Sequence, residues 1–306
     1  GMQTYAERKS AQGQSGSNAA TIHNTMLHLI IYKGETVKMS QLDKTFCEGF
    51  VTYLANAMTI GFEIPKRGQH HQKKLAKGTA RLYFNSFVTA LNEAVREGII
   101  SENPNRLLKK EEKKLVCKND SNRPHLNIEE IKTLIRTPCK NAAVKKAFLF
   151  ACFCGLRVSD IKTLKWSDIR KETDGICISK KMIKTKQVVT IPLSENALAW
   201  MPSKGNATLD DLVFCLPSYF TINYQIKQWA KEAGLEKNIT FHVARHTFAT
   251  ALLTMGADLY TTSKLLGHQN IKTTQVYAEV VNKKKVETVN LLDKIGTELG
   301  TSSAKI

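Results

Sequence analysis

The sequence predicts a mixed, mainly α fold: a helical N-terminal domain over residues 1–118, then an α+β domain over residues 119–306 with a small antiparallel sheet. Three observations carry that expectation. Apolar residues recur at three- and four-residue steps through most of the chain, the mark of amphipathic helices. Strict alternation is confined to residues 176–192, which read as two strands around a turn closed by Pro192. Between the two sets of helical patterns, Cys117–His125 is polar and contains Pro124, as expected of an interdomain linker.

Residues 9–20 are small and polar and form a flexible lead-in, behind Gly1-Met2, which reads as an added dipeptide ahead of a native or internal start. Four helical patterns follow. The first runs from about Ala20 to Lys33 through Ile22, Met26, Leu27 and Ile30, stopped by Gly34. The second is expected to be capped at Ser40, with Asp43 as an acid in its first turn, and continues through Phe46, Phe50 and Leu54. The third covers about Thr79 to Glu97 through Leu82, Phe84, Phe87, Leu91 and Val95, and the fourth starts at Asn103-Pro104 and carries Leu107 and Leu108 into a charged run. Lys73, Lys74 and Lys77 lie between the second and third, where a solvated loop and a nucleic-acid contact are both open readings.

The second domain opens with Leu126 as a staple, Asn127 as cap and Glu130 at the third helical position. A helix over about Ala142 to Cys154 carries an apolar face and ends at Gly155, after which Arg157 stands where the chain reverses. Its neighbours Leu156, Val158, Ile161 and Leu164 are apolar, so its head group is expected near a buried surface where an anion satisfies it. The hairpin turn carries Lys180, Lys181, Lys184 and Lys186, which by themselves make an ordinary soluble edge. Leu212 to Leu216 is expected as a third short strand, and Ser218 or Thr221 caps a helix through Ile222, Ile226 and Trp229. From Phe241 the patterns give a helix that Thr240 can cap, a short helix over about Thr261 to Leu266 ended by Gly267, and a third started by Thr273 and Thr274.

Composition narrows the partners. The chain has 306 residues, is 42% hydrophobic and carries a net charge of +18. The basic excess is shared, with 18 Lys+Arg against 11 Asp+Glu over residues 1–120 and 27 against 16 over the remainder, so both halves suit a polyanion. Apolar runs are far shorter than a membrane span and no secretory leader pattern opens the chain, so a soluble, cytoplasmic protein is expected, without membrane association. Seven cysteines, an odd number with no CxxC pair, fit reduced thiols better than disulfides or zinc. Glycine-rich phosphate loops and paired acids for two divalent ions are both missing, which removes the usual equipment of nucleotide hydrolysis and of metal-dependent nucleases.

The residues able to do chemistry are His242, Arg245, His268 and Tyr277. Taken singly, a histidine there is more often a surface or core-satisfied residue, and a tyrosine on an amphipathic helix is more often packing. Their spacing is less ordinary: HxxR, then LLGH with its histidine 23 residues after that arginine, then a tyrosine nine residues on. Upstream, Gly155-Leu156-Arg157-Val158-Ser159-Asp160 matches G-L-R-x-S-[E/D]. Together these segments resemble the tyrosine recombinase (phage integrase) family, over about residues 20 to 290, weakly in the first domain and strongly in the second.

That resemblance implies a core-binding domain followed by a catalytic domain, with the catalytic set Arg157, Lys184, His242, Arg245, His268 and Tyr277, and Asp160 in support. Lys184 is the match for the family's hairpin-turn lysine and Lys186 the runner-up; Lys73, Lys74, Lys77, Lys180, Lys181 and Lys186 are expected to touch DNA. Two arginines would clamp a phosphodiester as charge builds on it. A free phenol has a pKa of about 10, so Tyr277 needs a base, for which His242 is the better candidate, while His268 hydrogen-bonds and packs against the phosphate. Lys184 would protonate the leaving 5′ oxygen, giving a 3′-phosphotyrosine link that another 5′ hydroxyl reverses, with no cofactor or metal. The implied activity is site-specific integration or excision of DNA of a mobile element. Implied partners are double-stranded recombination sites, copies of the chain assembling to dimers and a tetramer on DNA, and accessory DNA-bending proteins, with the protein associated with the nucleoid when bound. A further N-terminal module of the kind that binds arm-type sites is not expected here, whether trimmed away or never present. Two other readings remain open: a type IB topoisomerase, with a closely similar residue set, and a non-catalytic DNA-binding protein. Past Tyr277, Val286, Val289, Leu292 and Ile295 form a stripe on a helix beginning after Asn282, which either packs locally or docks into a neighbouring subunit.

Overall fold

The computed structural model describes residues 16–60, 73–116, 123–279 and 281–282. The chain divides into two compact units, Gly1–Ser121 and Asn122–Ile306. In the first, α1 (Gly16–Lys33), α2 (Lys44–Asn56) and α3 (Lys77–Arg96) pack around Phe46, Phe50, Leu54, Phe84, Phe87 and Leu91. Phe50 and Phe87 meet edge to face with centroids 5.0 Å apart. Such rings bury enough apolar surface, at about 25 cal/mol per Å2, to hold a small bundle.

Three boundaries differ from the sequence expectation. α1 begins at Gly16, inside the segment expected as a flexible lead-in. Asp43, not Ser40, caps α2, its carboxylate accepting from the Phe46 amide at 2.7 Å, while Ser40 falls in a separate 3-10 turn, Met39–Gln41. The expected fourth helix breaks in two: a 3-10 turn, Pro104–Leu107, and the short α4 (Lys110–Lys114). Leu108 lies between them and is buried, so packing that one side chain interrupts the helical phase. Lys73, Lys74 and Lys77 are exposed, and the backbone around Lys73 and Lys74 pairs with Met58 and Thr59.

The second unit is built on α6 (Ala142–Cys154), which follows α5 (Ile128–Arg136). Asn127 and Glu130 cap α5 reciprocally, each bond 2.8 Å. More than one face of α6 is buried, since Phe148, Leu149, Phe150, Ala151 and Cys152 are consecutive core residues. A helix apolar nearly all round belongs in the middle of a domain, and α6 packs against both α8 (Glu195–Trp200) and α10 (Phe241–Thr254). After α6 come α7 (Val158–Ile161) and an antiparallel sheet in the order β1 (Ile169–Glu172), β2 (Gly175–Lys181), β3 (Val188–Pro192). Ile178 pairs with Ile169 on one side and Ile191 on the other, which turns the β-branched faces of β2 and β3 into the core.

The third strand is thus β1 and precedes the hairpin. Leu212–Leu216, expected as a strand, makes only an isolated bridge from Leu212 to Lys165. Sequence pattern hid β1 because Ile169–Glu172 has one partly buried residue and three exposed ones, leaving no alternation to read. Then follow α9 (Tyr219–Glu232), capped by Ser218, α10, α11 (Leu259–Leu265), capped by Asp258, and a last helix, α12, over residues 272–279. Thr240 stands at the N-cap of α10, yet its hydroxyl makes no capping bond; the Phe241 amide is taken instead by the Asn223 side chain at 2.9 Å. The expected apolar stripe from Val286 to Ile295, and Cys117 to Asn122 of the linker, lie outside the described residues.

Gly155 is the joint on which the site hangs. Its φ of +70° is left-handed, and a Cβ there would collide with the Phe248 ring. Gly155→Ala therefore adds left-handed strain of about 1–2 kcal/mol to overpacking of about 1–3 kcal/mol. Urea unfolding of the second unit is expected to show a loss of roughly 2–5 kcal/mol, whereas Gly205→Ala, at φ +49° with open space around it, shows the backbone cost alone.

Candidate active site

Four segments bring the site together: the turn after α6, the β2–β3 turn, α10 and the stretch from α11 into α12. On α10, Arg245 is 1% exposed, and its guanidinium is held at both ends, Nη1 donating to the Gly155 carbonyl at 2.8 Å and Nη2 to the Leu266 carbonyl at 2.5 Å. Those carbonyls end α6 and α11, so one side chain ties three helices together. Burial, then the neighbouring Arg157, lowers the Arg245 pKa to about 9, which leaves it cationic at neutral pH. Arg157 caps α7 with an extended backbone, and its Nη1 is buried without a hydrogen-bond partner among the described residues. Its pKa is also lowered, first by burial, with Asp160 and Tyr277 acting in the opposite sense. A guanidinium left with a buried, unused donor beside a second cation is an anion-seeking arrangement.

Asp160 is fully buried on α7. Its charge favours the cationic form of both arginines. Its described hydrogen bond goes elsewhere: Oδ1 accepts from the Ile183 amide at 2.8 Å and so pins the β2–β3 turn to the site. That turn is Met182–Gln187, closed by bonds between the Met182 amide and the Gln187 carbonyl and between the Lys186 amide and the Met182 carbonyl, with Lys186 at φ +59°. Lys184 is exposed on it and is one of the cations that lower the pKa of His242; Lys186 is not.

Lys180 requires a correction. It lies within β2 rather than in the turn, is 8% exposed, and its Nζ donates to Asp168 Oδ2 and the Thr163 carbonyl, both at 2.7 Å. A lysine so engaged and so buried anchors the hairpin, with its charge matched by Asp168. Lys181 and Lys186 are exposed, as a contact residue requires. Run-length misled the reading here: four lysines near one turn look alike until pairing shows that alternate strand positions face opposite ways.

Three histidines line the cluster. His242 opens α10 and keeps an exposed side, yet lost hydration, followed by Arg245, Arg157, Arg123 and Lys184, brings its pKa to about 4. His268 follows Gly267, whose φ is +61° and where a Cβ would press on Val189. Its Nδ1 pairs with the Thr274 hydroxyl at 2.8 Å, and burial with Arg245 and Arg157 brings its pKa to about 3. His246, one residue beyond Arg245, had no place in the sequence reading. Its Nδ1 lies 2.7 Å from the Tyr277 hydroxyl.

Tyr277 on α12 is 2% exposed, packed with Phe248, Ala249 and Leu266. It lies near enough to Arg157 and Arg245 to act in favour of their cationic forms. Arg123, from the chain ahead of α5, caps the ring with Cζ 5.7 Å from its centroid. The described hydrogen-bond partner of Tyr277 is thus His246 and not His242, the expected base. The adjacent letters Arg245-His246 were the available signal; the helical period of 3.6 puts neighbours about 100° apart, and only the packing of α12 decides which side receives Tyr277.

Comparison with known proteins gives two family matches, a phage integrase SAM-like domain over residues 2–115 and the phage integrase family over residues 124–284. Tyrosine recombinase XerD of Proteus mirabilis is 34% identical over 179 residues, covering 52% of this chain and 56% of that protein. A XerC-like tyrosine recombinase of Caldanaerobacter subterraneus is 28% identical, covering 85% of this chain and 80% of that one. The chain thus aligns with little more than half the length of the first of these. A lambda integrase fragment, in a dimer bound to a COC′ core site, shares the fold with a TM-score of 0.67 at 17% identity, covering 90% of this chain and 93% of that one.

The three histidines have folded-state pKa values below the ordinary value near 6.5. The unfolded chain therefore binds protons that the folded one refuses, and stability falls as pH drops from about 6.5 toward about 4. Imidazole NMR titration is expected to keep all three neutral at pH 5.5, and saturating inorganic phosphate, seated on the arginines, is expected to raise their midpoints. Ordinary midpoints for all three would remove the cation cluster from the account.

Proposed function

Because the chain belongs to the phage integrase family of tyrosine recombinases, we propose that it cuts and rejoins duplex DNA at specific sites through a 3′-phosphotyrosine intermediate. The observation that carries this reading is the convergence of Tyr277 with Arg157 and Arg245, one guanidinium fixed through two of its donors and the other with a buried donor unspent. Arg245 is held rigid by those two bonds with further N–H groups for the phosphate, and Arg157 takes a non-bridging phosphate oxygen with its unspent donor. As the phosphorus becomes pentacoordinate, charge grows where both cations already point, and a preorganised site gains most at that moment. His242 and His268, kept neutral, donate to the same oxygens. Lys184, on the turn that Asp160 anchors, supplies the proton to the departing 5′ oxygen.

The bond energy of the cut strand is held in the phosphotyrosine link, so a 5′ hydroxyl reverses the step without a cofactor. We assign the first unit to DNA binding, with exposed Lys73, Lys74 and Lys77, together with Lys181 and Lys186 of the second, as backbone contacts. No described helix is long and apolar enough to cross a membrane. We assign the protein to the cytoplasm, joining the nucleoid when it binds DNA.

Tyr277→Phe is expected to abolish the covalent adduct with a pool of nicked duplexes while leaving gel-shift affinity nearly unchanged; adduct at the wild-type level sinks the assignment. Arg157→Lys and Arg245→Lys keep a charge and lose the planar fork, so cleavage falls by roughly two orders of magnitude or more, about 3 kcal/mol. Relaxation of supercoiled plasmid with no recombinant product would assign the chain to topoisomerase chemistry instead.

Joining two duplexes needs four active sites, so we also propose dimers on one site and a tetramer on two, with the residues after Val281 docking in a neighbouring copy as a closed ring. Truncation after Val281 is then expected to spare single-site binding and weaken the joined complex, read by light scattering and native gels. A truncated chain that assembles and recombines as well as the full one refutes the docking.

A further inference from the structure

Tyr277 is gripped by two residues outside the recognised signature. His246 Nδ1 lies 2.7 Å from its hydroxyl, and Arg123 covers its ring. His246 is 7% exposed on α10, so this is an interior contact, sheltered from exchange with solvent. Its ring stands edge-on to His242 at 4.4 Å and tilted against Tyr277 at 5.4 Å. His242 keeps an open side toward solvent and, among the described residues, makes no hydrogen bond to the tyrosine.

We propose that His246, rather than His242, receives the proton of Tyr277 when the tyrosine oxygen attacks the phosphodiester. This rests on the reading of Tyr277 as the nucleophile. In the step, the Tyr277 O–H bond breaks toward His246 Nδ1 and an Oη–P bond forms. The bond from phosphorus to the 5′ oxygen breaks, and that oxygen takes a proton from Lys184. Religation runs in reverse, with His246 returning its proton to the tyrosine. No outside oxidant, metal or nucleotide is needed for the balance.

The acceptor has to be neutral at Nδ1, with the ring hydrogen on Nε2, and the surroundings hold it so. Burial lowers the pKa of His246 to about 3, followed in effect by His242, Arg123, Arg245 and His125. His242 and Arg245 face it from its own helix, Arg123 and His125 from the chain before α5, and Tyr277 from α12. In that field the imidazole is a poor base while no anion is near. A phosphodiester seated on Arg157 and Arg245 offsets much of the positive field, so the proton affinity of His246 rises when substrate arrives. The base is thus armed by the substrate it serves, and a water-filled site gains little from it.

The test uses the full chain and a pool of nicked duplexes that trap the adduct. His246→Asn keeps a hydrogen-bond acceptor near the Nδ1 position but cannot take a proton. It is expected to bind the pool within about twofold of wild type and to form adduct roughly 100-fold more slowly, the scale of a lost general base. Its rate is expected to climb with pH where that of wild type levels off. Introducing Tyr277→3,5-difluorotyrosine, a more acidic phenol, is expected to restore part of the rate in His246→Asn; a purely packing role for His246 gives no such recovery. His246→Phe, which keeps bulk and removes the acceptor, is expected to be slow in the same way and recover likewise. Wild-type adduct rates in His246→Asn, or no recovery with the acidic phenol in either variant, overturn the assignment. A wild-type chain that forms no adduct with any duplex overturns the nucleophile itself, a separate failure visible before any variant is made.

Discussion

A guanidinium with almost no exposure has to be satisfied from within, and the way Arg245 is satisfied shapes the second unit. Its two bonds take the terminal carbonyls of α6 and α11, groups that a helix leaves unpaired at its C-terminal end. Breaking such a contact would strand a buried charge, at a cost of about 3–5 kcal/mol. The approach of Phe248 to Gly155 follows from the same closeness, since α10 has to lie against the end of α6 for the bond to form. So do the position of Gly267 and the direction in which His268 leaves it.

A second tier of contacts carries the hairpin to this frame. Lys180 binds Asp168 and the Thr163 carbonyl, locking β2 to the segment after α7, and Asp160 holds the turn through the Ile183 amide. One acid thereby serves two ends: its charge steadies the arginines, and its oxygen sets where Lys184 stands. The proton-donor role proposed for Lys184 needs this, because a long side chain on a free turn would spend its time in solvent.

Much of this was legible from the chain. Asn127 with Glu130 announces the start of α5, the run through Phe148 and Phe150 announces a buried helix, and Gly155 and Gly267 mark its end and that of α11. Local rules suffice there because the partners are within a few residues. They fail where the partner is distant. Asp43 wins the cap of α2 from Ser40, Leu108 breaks a helical pattern to reach the core, and Asn223 takes the amide that Thr240 was expected to take. For Asn223 and Phe241 the partner lies 18 residues away, and for Leu108 it is the core of the first unit; Asp43 is itself a sequence neighbour of Phe46, and there the structure only chose between two nearby caps.

By itself, the sequence determined the class of fold, the residues Arg157, His242, Arg245, His268 and Tyr277, and the chemistry those types permit, since side-chain identity and spacing need no third dimension. Tertiary structure alone decided which of two adjacent histidines meets the tyrosine, which lysine is spent on an ion pair and which remains exposed, and that Ile169–Glu172 is a strand. The physical reason is common to all three. A hydrogen bond or an ion pair acts over about 3 Å, and whether two groups come that close depends on how separate helices and strands pack, a property that no window of neighbouring residues contains.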